Sequence, residues 1–180
     1  MSKHVILGLV VLACALVRPA AAQRVPLNNA EVDELRDAAQ DPEKRIPLYV
    51  KHIKARVATL EELRNDPRFD AHRAARIHDL LEEIDNLADE LDDNIGVYAK
   101  RRFDLRKPLK EVISMAEELT PKLRAMKEKD TAEQARSYGF ALDNAIDSLQ
   151  ANLDGARQLL QEQEEIVKRA QDAQKNAPKK

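Results

Sequence analysis

The run from Pro67 to Phe103 limits the possible folds more than any other part of the chain. Ile77, Leu80, Leu81, Ile84, Leu87, Leu91, Ile95 and Tyr98 recur at steps of three and four, which places their side chains on one stripe of an α-helix. At 1.5 Å of rise per residue this helix is about 55 Å long, more than a compact domain of this size needs. A bundle or a coiled coil accommodates it. Composition agrees: 34% of the 180 residues are charged, 3% are aromatic and only four are glycine, the balance of long solvated helices.

The flanking segments supply partners for that stripe. Asn28 or Asn29 caps a short, weakly apolar helix to about Gln40, with Glu31 closing a capping box. Asp41-Pro42 starts a second helix, to about Asn65, whose stripe is Ile46, Val50, Ile53, Val57, Leu60 and Leu63. Pro47 is expected to bend it or delay its start. Asp66-Pro67 repeats the device and starts the central helix after a connection short enough to force antiparallel neighbours. A fourth helix carries a heptad, Leu105, Leu109, Val112, Ala116, Leu119, Leu123 and Met126, in phase on both sides of Pro121, so a kink is expected there and not an end. Asp130 with Glu133, or Thr131 with Gln134, boxes the last helix, which runs to about Asp172. The expected fold is all-α: an antiparallel up-down bundle of four main helices with coiled-coil-like packing, plus a short N-terminal helix. It forms one domain over 23–172, with a disordered basic tail at 173–180.

Residues 1–22 read as a secretory signal peptide. Lys3 and His4 precede an apolar run from Val5 to Val17, and Pro19-Ala20-Ala21-Ala22 offers a small-residue exit before Gln23. The run is too short for a stable membrane span. Cleavage after Ala22 is expected, leaving an exported chain, periplasmic or secreted, with no transmembrane span. A lipoprotein acylated at Cys14, the single cysteine, is the alternative. Under ordinary cleavage no thiol and no disulfide remain. The formal charge of −2 becomes more acidic by two units once Lys3 and Arg18 leave, which argues against nucleic acid as a partner.

Unequal helix lengths point to a candidate surface. If the last helix starts below the top of the bundle, it passes the base at about Gly155, and Leu159, Leu160, Ile166 and Val167 project beyond it. Either the first helix covers this overhang or another molecule does. Near the same end, Lys100, Arg101, Arg102, Arg106, Lys107 and Lys110 gather around a turn. They either grip an anionic envelope surface weakly or complement the helix dipole, neutralised by the acidic run Asp79 to Asp93. Gly139, between Tyr138 and Phe140, is expected to admit a close neighbouring helix, with a bend that opens a groove as the alternative.

No catalytic pattern is visible. His52, His72 and His78 form neither a His-Glu-x-x-His pair nor the Glu-x-x-His of di-iron bundles. His72 and His78, six apart, do not share a helix face. Asp92, Asn94 and Gly96 miss the register of a calcium loop, and there is no Gly-x-Ser-x-Gly turn or phosphate loop. No cofactor, metal or catalytic residue is expected. The functional expectation is a non-enzymatic envelope protein acting by protein binding or self-association, with a holdase-type periplasmic chaperone as the alternative.

Overall fold

A computed structural model describes residues 27–65 and 71–176. The leader expected over 1–22, with Cys14, lies outside the described residues, as do the Asp66-Pro67 start of the central helix and the end of the tail. Among the described residues five helices form: α1 (Asn29–Asp37), α2 (Pro42–Asn65), α3 (Ala71–Lys100), α4 (Arg106–Glu128) and α5 (Ala132–Lys175). Among the described residues there is no strand.

Local chemistry sets the boundaries. Asn28 Oδ1 accepts from the Glu31 amide at 3.1 Å, and Glu31 Oε2 accepts from the Asn28 amide at 2.9 Å. Asp41 Oδ1 accepts from the amide of Glu43 at the head of α2. Pro47 does not delay α2, which begins at Pro42. At α5 the capping box is Thr131 with Gln134. Asp130, the other candidate, is engaged by Arg64 and by the Tyr138 hydroxyl. α4 continues through Pro121 to Glu128, and α5 runs on to Lys175, slightly past the expected stop.

The four long helices alternate in direction along the chain. α2 packs on α3, α3 on α5, α5 on α4, and α4 on α2, so α3 and α4 face each other diagonally although only a short turn joins them. α2 and α4 run parallel and in step, as the pairs Glu43–Lys107 and Lys54–Glu118 show. Their stripes meet in one core that includes Ile53, Leu81, Leu87, Leu109, Leu119, Leu142 and Leu149, all buried. Each such side chain contributes about 2 kcal/mol by leaving water. Tyr49, Tyr98 and Tyr138 are equally buried, and each hydroxyl is matched, to Glu90, to the Ala39 carbonyl and to Asp130.

Two expectations change. α4 reaches the top of the bundle because it runs level with α2, so α5 also starts there and arrives at the base later than expected. The level of the base is marked by Gln163, not Gly155: the Gln163 side chain accepts from the amide of Leu105 at 2.8 Å and donates to the carbonyl of Phe103 at 2.9 Å. Leu159 and Leu160 are therefore packed against the core, and the overhang is 164–175, about 18 Å of helix. Second, α1 does not cover it. α1 folds back along α2, with Leu35 buried at 4% exposure and Glu34 paired to Lys51 at 2.9 Å.

Gly139 also departs from expectation. A Cβ placed there would meet only the Cβ of Ala135, in its own helix, at 3.8 Å, so no neighbouring helix uses the space.

Candidate functional site

The base is built from the turn between α3 and α4 and the side of α5 that runs past it. α3 ends in a Schellman motif: the Phe103 amide donates to the Tyr98 carbonyl at 3.2 Å and the Arg102 amide to the Ala99 carbonyl at 2.9 Å. The ring of Phe103 meets Tyr98 edge-on, with centroids 5.6 Å apart, which is the apolar contact that accompanies such an ending. The residue that turns the chain has φ 62°, a left-handed conformation that glycine usually supplies, and here it is Arg102. A side chain at that position costs about 1 kcal/mol.

Between the turn and α5 lies an open groove of about 710 Å³, with Phe103, Leu159, Ile166 and Val167 in its apolar lining, the cations Lys100, Arg102 and Arg106, and the carboxylates Asp104 and Glu162. Ile166 is 64% exposed and Phe103 37%. Of the nine residues expected to bind, the fold brings Leu159, Ile166, Val167, Lys100, Arg102 and Arg106 to this groove. Leu160, Arg101 and Lys107 do not line it.

The basic cluster divides in two. Arg106 is held by Asp104 at 2.6 Å, Lys107 by Glu43 at 3.0 Å and Lys110 by Glu164 at 3.7 Å. Arg106 in turn holds the Asp104 carboxyl down at about 2. Lys100, Arg101 and Arg102 are exposed and have no such partner among the described residues. Among the described residues no ion pair joins these three cations to the acidic run on α3, two members of which make other contacts: Asp85 accepts from Ser148 at 2.5 Å, and Glu90 from Tyr49. Burial, with Asp85 nearby, raises the carboxyl of Asp89 above its usual range.

Phe103 and Gln163 were not among the expected binding residues. One signal for Gln163 was present: it is the polar member of a continuing heptad, Leu159, Gln163, Ile166, Ala170 and Ala173. For Phe103 the signal was a large apolar residue immediately after the helix end.

A second charged arrangement sits where α1 docks. Arg56 Nη2 donates to Glu31 at 2.6 Å and Arg56 Nε to Glu83 at 3.1 Å, all three side chains being largely buried. Arg56, through its hydrogen bonds, lowers the Glu31 carboxyl to about 2. His52, 2% exposed, has Nδ1 3.4 Å from Glu31, and its burial lowers its pKa below the ordinary 6.5. His78, Asp79 and Glu82 place ligand-type atoms within 4.8 Å of one another on one turn of α3, with no contribution from another helix. Among the described residues, no helix is long and apolar enough to cross a membrane. No protein-family model, curated protein or solved structure matches the chain.

Proposed function

We propose that this is an exported, non-enzymatic bundle protein of the cell envelope that acts by binding another protein, or a second copy of itself, through the groove at its base. One observation carries the reading: α5 continues for about 18 Å beyond the bundle with Ile166 and Val167 on it, beside cations that no carboxylate engages among the described residues. The core is closed, and a further length of exposed helix adds nothing to it. Export rests on the leader pattern at 1–22 and is checked by N-terminal sequencing of the protein from its native cell, expected to begin at Gln23.

The binding surface is tested by placing a photoreactive residue at Ile166 and, separately, at Phe140, which is 80% exposed at the opposite end. A cross-linked protein adduct is expected from position 166 and not from 140. Absence of an adduct from 166, or equal labelling from both, overturns the assignment of the base. A holdase-type chaperone is the second reading, and exposed Phe140 far from the groove favours it. Equal labelling from both positions, with suppression of a client's aggregation at stoichiometric amounts, would put it first.

A further inference from the structure

Building on the reading of the base as a binding surface, we propose that the groove receives an acidic amphipathic helix from a partner protein. Its apolar side would lie on Phe103, Leu159, Ile166 and Val167, and its carboxylates would face Lys100 and Arg102.

The shape of the surface asks for a helix. Leu159, Gln163, Ile166, Ala170 and Ala173 follow one another in steps of four, three, four and three, the repeat along which one helix seats another. The alanines keep the outer part of that seam low, so a second helix backbone can approach closely. A lipid surface needs no such period.

The charge of the occupant follows from what is already paired. Glu164 is committed to Lys110 and Glu165 to Arg169, which leaves Glu162 and Asp172 as the carboxylates of this segment without a cation, outnumbered by Lys100, Arg101 and Arg102, uncommitted among the described residues. Lys168 and Lys175 add to the same side of the balance. A second copy would bring this cationic surface against itself; an acidic helix would complement it.

The molecule contains its own example of this docking. α1 carries Glu31, Asp33, Glu34 and Asp37 against a single Arg36, buries Leu35, and is held by Arg56 and Lys51. A short acidic helix with one apolar anchor therefore already binds a cationic flank of this bundle. The base offers the same chemistry with the acidic member missing. Arg102 sharpens the point: it keeps a cation where glycine would relieve the backbone.

The test uses the protein as purified from its native cell and two fluorescent helical peptides of about five turns. Both carry a leucine stripe at helical spacing. One is flanked by glutamates and its twin by lysines. The glutamate peptide is expected to bind at least about tenfold more tightly than the twin, with an advantage that shrinks as salt rises. Double charge reversal, Lys100→Glu with Arg102→Glu, should invert the preference, and Ile166→Asp should abolish both interactions. Arg102→Gly should weaken the glutamate peptide while raising resistance to denaturation, an outcome that damage to the fold does not produce.

Equal binding of both peptides, lost in Ile166→Asp, overturns the acidic partner and leaves the base as a binding surface. Binding only to vesicles of phosphatidylcholine with phosphatidylglycerol overturns it in favour of a membrane. A concentration-dependent dimer that excludes both peptides overturns it in favour of a second copy. No binding to any probe overturns it outright, and only the missing cross-link from position 166 would also remove the reading on which it rests.

Discussion

The flank that holds α1 and the groove at the base pose the same electrostatic problem and differ in how it is met. Along the flank, Arg56 and Lys51 face Glu31, Glu83 and Glu34, and a helix of nine residues is fixed in place by those pairs and one leucine. At the base, Lys100 and Arg102 line the groove beside its apolar side chains, and among the described residues no acidic helix lies on it. The first arrangement is complete within the chain. The second has the cations and the apolar lining but, among the described residues, no acidic helix, and the proposal of a binding surface at the base rests on that difference.

The largest effect is expected at the completed flank. Arg56→Met strands the largely buried carboxylate of Glu31, while Glu83 keeps Arg76 at 3.0 Å, and should cost about 3 kcal/mol, read by chemical denaturation together with loss of amide protection in α1. If protection in α1 survives, its docking depends on Leu35 and not on charge, and the parallel with the base weakens.

Acidification attacks the same flank more gently. Glu31 and His52 both have lowered pKa values in the folded state, so the unfolded chain binds protons more readily, and stability falls as pH falls. The His52 contribution fades below its ordinary 6.5, and that of Glu31 from about 4.5 down towards 2. Amide protection of α1 should therefore decline between about pH 6.5 and pH 3, ahead of the bundle core. Simultaneous loss in α1 and core would show that α1 is not a separately docked element.

Smaller effects separate function from stability at the base. Arg102→Gly should stabilise the protein by about 1 kcal/mol, since it removes a left-handed side chain from the end of α3. Gly96→Ala, where an added Cβ meets nothing within 4 Å, should give a similar or slightly smaller gain, about 0.8 kcal/mol. Of the two, only Arg102→Gly should impair partner binding. Smallest of all, Lys107→Ala breaks an exposed pair with Glu43 and should change stability by less than about 0.5 kcal/mol. A larger loss would mean that the paired cations also hold the base together.

Legibility in the sequence followed the range of the interactions. The stripes of α3, α4 and α5, the boxes at Asn28 and Thr131 and the passage through Pro121 depend on residues a few positions apart, and all could be read. The position of the base could not, because it depends on α2 and α4 standing level, a relation set by contacts such as Lys54–Glu118 across the bundle. Adding helix lengths put the base near Gly155, about two turns early. The division of the basic cluster was hidden for the same reason: Lys107 and Lys110 find partners in α2 and α5. Arg102 escaped notice because neither glycine nor asparagine marks its left-handed turn. The burial of His52 was equally invisible, since it depends on α1 folding back along α2.

The three buried tyrosines have a practical consequence. The chain contains no tryptophan, so near-ultraviolet absorption and emission come almost entirely from Tyr49, Tyr98 and Tyr138, at the α2–α3 seam, the base and the top. Tyr98 lies directly beneath Phe103 and also donates its hydroxyl proton to the carbonyl of Ala39 at the exit of α1. It is a built-in optical reporter. Occupation of the groove should perturb its signal through the ring above it, and release of α1 should perturb it through the hydroxyl. With Tyr49 and Tyr138 replaced by phenylalanine, one native chromophore would follow both events without a label.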